Sequence, residues 1–286
     1  MNIENKTALI VEGGGFRSAF TAGIIDTFIV SKFYPFNLCV GVSGGAMNLT
    51  SYISRQYKRN INIISSMCNN SNFISIARFL KGGNFLELKY LFDYSFKKYP
   101  FDSISANNFL VNDDCKMVVT NYDNGRANYL SVKEFGWIKL VEATSSLPIA
   151  IRGYCEIGSK KYIDGGIADP LPVKKVYNWG YKKIVLLRTH PKDMLPDWNI
   201  ESLYAPFFFN HNPKLKKMVI NNDKIYNNAL NFINKPPNDV QIFQLYPKRE
   251  LKCGVLSNNI EKIISDYQLG LEVGLDFLSQ NKIINS

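Results

Sequence analysis

The chain has 286 residues, of which 46% are hydrophobic and 20% charged, an ordinary globular composition with enough length for a sizeable core. Its formal charge of +10 comes without zinc-finger spacing, an aromatic ribonucleoprotein motif or a dense basic helix. That argues against nucleic acid and leaves peripheral contact with an anionic membrane open.

The five cysteines are scattered and contain no CxxC, which argues against a disulfide framework and a zinc site and fits a reducing cytoplasm. The expected location is therefore cytoplasmic, at most peripheral at a membrane. The opening MNIENKTALIVEGGG lacks the basic and apolar regions of a secretory signal. No run reaches the ~18 apolar residues of a transmembrane helix.

In chain order, TALIVE (7–12) reads as a buried strand, broken by GGGF, and RSAFTAGIIDTFIVSKF reads as a mostly buried helix. NLCVGV (37–42) is a second short strand, followed by Ser43 and a helical segment through about Arg59. This β-turn-α, β-turn-α opening predicts a parallel sheet with crossover helices. Residues 60–112 predict a helical insertion, with helices near 61–80 and 85–98 interrupted by KGGN. Strand signals return at CKMVVTNY (115–122) and RANYLSV (126–132), and FGWIKLVEATSS predicts a helix ending at Leu147-Pro148. GYCEIGSKKYID predicts a hairpin bending at GSK, and KKIVLLRT (182–189) and VQIFQLYP (240–247) predict two more buried strands. The last helix is expected to begin with a capping box of Asn258 and Glu261. Its buried stripe is expected to be Ile260, Ile264, Tyr267, Leu271, Leu275 and Leu278. No repeat, linker or domain boundary is evident, so residues 1–286 are read as one α/β domain, with its motifs in about 7–190 and C-terminal helices at about 213–280 packed on it.

Three stretches carry chemistry. Gly41-Val-Ser43-Gly-Gly45 satisfies G-x-S-x-G between a strand and a helix. In that setting a serine sits on a strained bend, small neighbours let backbone pass, and the hydroxyl projects at a helix N-terminus that favours negative charge. Taken alone, the serine is equally a helix N-cap. Gly13, Gly14 and Gly15 follow the first strand, on the sheet edge that carries Ser43, so their N–H groups are candidate oxyanion donors, with Arg17 adding positive charge. The stretch also approaches a dinucleotide fingerprint, but Ser18 stands at its last glycine and no ribose-binding acid follows. Asp164, in YIDGG after a strand, is a candidate direct base for serine, although Asp-Gly is also a favoured hairpin turn. The two histidines, His190 and His211, leave a Ser43–Asp164–His190 triad open on paper.

Together, GGGFR (13–17), GVSGG (41–45) and DGG (164–166), with ATSSLPIA (143–150) and IDGGIADPLPVKKVYNWGYKKIVLLRT (163–189), resemble the patatin-like phospholipase family, and within it a bacterial cytoplasmic esterase branch. The resemblance spans about residues 7–190. It implies a three-layer α/β/α fold with a mostly parallel sheet and a dyad without histidine, Ser43 being the nucleophile and Asp164 the base. Gly13, Gly14, Gly15 and Arg17 would form the oxyanion loop, and the Gly44 N–H would lie beside the nucleophile. The implied reaction is hydrolysis of a lipid or other hydrophobic acyl ester, phospholipids included, through an acyl-serine, without metal or cofactor. Ser18 departs from the family's usual glycine; a positive φ there would strain the loop. The aromatic and basic segments 73–98 and 203–217 are candidates either for core packing or for contact with a membrane. A small-ester or thioester hydrolase and a catalytically silent acyl-binding protein are the alternatives.

Overall fold

The computed structural model describes residues 6–148, 150–192, 194 and 212–280. Its strands are β1 (Thr7–Val11), β2 (Phe36–Gly41), β3 (Asp114–Asn121), β4 (Ala127–Ser131), β5 (Cys155–Ile157), β6 (Lys160–Asp164), β7 (Lys183–Leu187) and β8 (Gln241–Leu245). The sheet order is β5-β6-β3-β2-β1-β7-β8, with β4 paired to β3. The β3–β2–β1–β7–β8 pairs are parallel, and β4, β5 and β6 pair antiparallel. The mostly parallel sheet is as expected.

The strands are apolar without alternation because both faces are covered. Leu9, Val11, Cys39, Val185 and Leu187 enter one core, and Ala8, Ile10, Leu38, Val40, Ile184 and Leu186 the other. Helices α1 (Ser18–Val30) and α2 (Gly44–Ile53) cover the first face. The insertion helices α3 (Arg59–Met67), α4 (Ile76–Leu80), α5 (Leu88–Lys98) and α6 (Ser103–Phe109) extend that core. After α7 (Val132–Phe135) and α8 (Trp137–Thr144), α9 (Val173–Asn178) and α11 (Asn222–Asn234), the latter preceded by α10 (Pro213–Ile220), serve the second face. The result is three layers.

Four expectations are corrected. The helix after Ser43 stops at Ile53, because Arg55 and Lys58 turn through positive φ and α3 starts afresh. The long insertion helix near 61–80 is two helices, separated by a turn in which Asn69 has φ 56°. The last helix, α12 (Ile260–Gln280), is capped by Asn259, whose Oδ1 accepts the Lys262 N–H, and not by Asn258. Its buried stripe is Ile263, Asp266, Tyr267, Gly270, Gly274 and Phe277, while Ile260, Ile264 and Leu275 are exposed. The reason is close approach: a Cβ on Gly270 would stand 1.9 Å from the Phe20 carbonyl oxygen on α1. No helix among the described residues is long and apolar enough to cross a membrane.

Candidate active site

The site forms where the parallel strands end, the edge at which open α/β sheets bind ligands. The strand β3 brings its two main parts together. Since β4 occupies one edge of β3, β2 and β6 share the other: Gly41 registers with Met117, and Asp164 with Val119 two residues further on. Two residues along a strand span about 7 Å, so the end of β6 delivers Asp164 beside the bend that leaves β2.

That bend is Ser43, with φ 49° and ψ −124°, a strained conformation worth roughly 1–3 kcal/mol for a side-chain-bearing residue. Its surroundings over-determine it. The Ser43 N–H donates to Thr144 Oγ1 at 3.0 Å, and the Gly45 N–H to the Val42 carbonyl at 2.8 Å. Gly45 lets the backbones cross, because a Cβ there would lie 2.3 Å from the Val11 oxygen. The hydroxyl therefore stands at the N-terminus of α2.

Asp164 is buried, its Oδ1 accepting the Gly166 N–H at 2.8 Å. Burial raises its pKa from 3.8 to about 6, opposed by the nearby Ser43 hydroxyl and by the Gly166 N–H. Oδ2 is buried without a hydrogen-bond partner, so Ser43 is near enough to influence the carboxyl without making a full hydrogen bond. Such contacts commonly tighten only when substrate binds.

The Gly13–Gly15 loop has its carbonyls occupied. Thr189 Oγ1 donates to Gly13 O at 2.8 Å, the Arg17 N–H to Gly14 O at 3.0 Å, and Ser18 Oγ to Gly15 O at 2.6 Å. The N–H groups of Gly13, Gly14, Gly15 and Gly44 find no acceptor among the described residues, and these residues border the same cavity as Ser43 and Asp164. The arrangement is suited to receiving an oxyanion. Ser18 takes an ordinary helical φ of −64°, so it imposes no strain. Arg17, expected to belong to this loop and to add positive charge, has its Nε and Nη2 donating to the Thr189 carbonyl at 3.3 and 2.9 Å, bracing the loop against the end of β7.

Sequence reading missed that brace's anchor. Glu12, at the end of β1, is buried; its carboxylate accepts from the Thr189 N–H and, at 2.8 Å, from the Tyr226 hydroxyl, and it meets His190 Nδ1 at 3.2 Å. Burial pushes its pKa up, but His190, the Thr189 N–H and Arg188 outweigh that and hold it below the usual value. An acid closing an apolar strand, as in TALIVE, was the available signal. His190 thus pairs with Glu12 and not with Asp164; His211 lies outside the described residues.

Above Ser43 opens a cavity of about 670 Å³. Its walls are mainly apolar, with Met47 from α2, Ile63 and Met67 from α3, Leu88 and Leu91 from α5, and Leu147. The 73–98 segment divides: Phe73, Leu86, Leu88, Leu91 and Phe92 are buried in the core, while Ile76 and Leu80 face solvent. Of segment 203–217, residues 203–211 lie outside the described residues. No cluster of metal-ligating residues is present among the described residues.

Residues 9–177 match the family described as patatin-like phospholipase, and residues 212–284 match a domain of unknown function, DUF6363. The chain is similar to the uncharacterized protein YjjU of Escherichia coli strain K12, at 31% identity over 96% of this chain and 77% of that protein. It also aligns with the crystal structure of VipD from Legionella pneumophila, at 12% identity and a TM-score of 0.47, over 96% of this chain and 67% of that one.

Proposed function

Because the chain belongs to the patatin-like phospholipase family, and so at the coarse level to a family of lipid hydrolases, we propose that it hydrolyses hydrophobic acyl esters through a Ser43–Asp164 dyad. One observation carries the reading: a strained serine and a buried carboxyl with an unpartnered oxygen share the floor of an apolar cavity. In this reading Asp164 takes the proton of Ser43 as Oγ attacks the ester carbonyl carbon. The tetrahedral oxyanion receives the N–H groups of the Gly13–Gly15 loop and of Gly44. Collapse breaks the ester bond, and the alcohol leaves with the proton returned by Asp164. Water then attacks the acyl-serine, giving its proton to Asp164, and the acid departs as Ser43 is re-protonated. Arg17 is a positioning residue here.

The apolar lining supports a lipid or other long-chain acyl group over a small ester, since only apolar contact rewards burial in such walls. We also take residues 1–286 to work as one hydrolase domain. The Phe16 N–H beside the glycine loop donates to the Val255 carbonyl at 3.0 Å, which supports joining the C-terminal segment to the site.

The test is labelling with a fluorophosphonate, located by mass spectrometry, on wild type and Ser43→Ala. Modification at Ser43, absent from the variant, is expected. A folded protein that stays unlabelled turns the reading toward an acyl-binding protein.

A further inference from the structure

We propose that the mouth of the cavity is a face that docks on a lipid layer, with α4 and the 254–256 loop as its two apolar lips. The idea rests on the hydrolase reading only for what happens after docking; binding itself needs no turnover.

The rim is defined by residues that both border the cavity and face solvent. Ile76 is 67% exposed, Val255 38% and Leu256 44%, and all three line the cavity. Leu80, four residues after Ile76 and on the same face of α4, is 79% exposed. Large aliphatic side chains gathered around an entrance mark an interaction surface, unlike apolar residues scattered singly.

Neither lip is a loose end. Arg78 ties α4 to the backbone, Nε donating to Asn84 O at 2.8 Å and Nη2 to Phe73 O at 2.9 Å and Phe85 O at 3.2 Å. The Arg152 guanidinium lies 4.9 Å from the Phe79 ring centre and donates to Gly83 O at 2.9 Å. On the other lip, the buried Asp266 carboxylate accepts the Lys252 and Cys253 N–H groups at 3.0 and 2.8 Å, while Val255 O holds the Phe16 N–H. The apolar side chains are thus held outward by polar bonds on their inner side.

Charge selects the occupant. Exposed Lys81 and Arg152 flank the first lip, and Lys252 and Lys262 flank the second, against Glu250 and Glu261. Apolar residues at the entrance, with two cations beside the first lip and charges that cancel beside the second, match the acyl edge and the anionic headgroups of a lipid layer. A partner sealed onto this rim also stands between the cavity and solvent. A lipid layer can feed an acyl ester inward through that seal, whereas a protein would close the cavity.

The experiment uses full-length Ser43→Ala protein and sedimentation with vesicles of equimolar phosphatidylcholine and phosphatidylglycerol. The protein is expected to sediment with them, and Ile76→Ser/Leu80→Ser to weaken partitioning by about tenfold or more, as two buried aliphatic side chains warrant. Leu256→Ser weakens it in the same direction. In the chain that keeps Ser43, Leu80→Asp, at a solvent-facing position that does not line the cavity, is expected to lose vesicle binding while Ser43 still takes the fluorophosphonate in solution. Absence of vesicle binding overturns the proposal, as does binding that salt removes but the lip substitutions do not touch. Concentration-dependent self-association abolished by the same substitutions also overturns it, in favour of a second copy of the chain. Labelling of Ser43 with no vesicle binding would sink the docking face and leave the hydrolase standing.

Discussion

Replacing Asp164 by asparagine should abolish chemistry and stabilise the fold, with a pH dependence fixed by one carboxyl. The folded pKa of about 6 against 3.8 is a rise of roughly 2 units, or about 3 kcal/mol. A raised acid pKa means the folded state binds the proton more tightly, so stability is lost as pH climbs from about 4 to about 6. At pH 8 the carboxylate is ionised in both folded and unfolded chains, and the native state bears the whole desolvation cost. At pH 3 it is protonated in both, and the cost is gone. Asparagine keeps an oxygen for the Gly166 N–H and carries no charge at any pH. Asp164→Asn should therefore melt several degrees above wild type at pH 8, at about 2 °C per kcal/mol for a chain of this size, and within a degree or so of it at pH 3. Fluorophosphonate labelling should fall by about 10²–10⁴-fold, the usual worth of a general base. Equal melting at pH 8 would refute the desolvated carboxylate, and undiminished labelling would refute its part as base.

The same carboxyl should set an acid limb near pH 6 in kcat/KM for a soluble ester, and a profile flat down to pH 5 would assign the proton elsewhere. Gly45→Ala drives a methyl to within 2.3 Å of the Val11 oxygen and 2.5 Å of the Glu12 oxygen, so a denaturation curve should show a loss of at least about 1–3 kcal/mol. Glu12→Ala strips the Thr189 N–H, Tyr226 hydroxyl and His190 of their shared acceptor beside buried Arg188. Urea unfolding should register about 3 kcal/mol or more. Ser18→Gly removes the hydroxyl on Gly15 O, which should cost about 1 kcal/mol in melting experiments and bring no gain in labelling rate.

Strands were legible in the sequence because each of the central ones is buried on both faces and so reads as an unbroken apolar run. Ser43 and Asp164 stood out because both are followed by glycines that let other backbone pass, and Gly45 and Gly165 both sit where a Cβ would strike backbone. What hid was whatever depends on a partner distant in sequence. The stripe of α12 was misassigned because its deepest contacts are made by Gly270 and Gly274, which carry no hydrophobic signal and are buried because α1 comes so close. Arg17 was read as positive charge in the glycine loop, and its partner, the Thr189 carbonyl 172 residues away, had no signature in the sequence. Glu12 was read only as the end of a strand, since the groups that make its burial tolerable come from β7's end and from α11.

Those distant partners explain how the glycine loop tolerates a serine at position 18. The free N–H groups of Gly14 and Gly15 share their planar peptides with the carbonyls of Gly13 and Gly14, which must be satisfied on the other side, or each peptide would gain by rotating. Thr189 answers for Gly13, the Arg17 N–H for Gly14, and the Ser18 hydroxyl for Gly15. A glycine at position 18 would supply no such hydroxyl, leaving Gly15 O to the backbone N–H of that residue alone. Serine therefore adds a constraint to the loop, and at φ −64° it does so without the strain a left-handed position would have imposed. The departure from the usual glycine becomes one more contact at the end of the loop, on the Gly15–Phe16 peptide whose N–H donates to Val255 O.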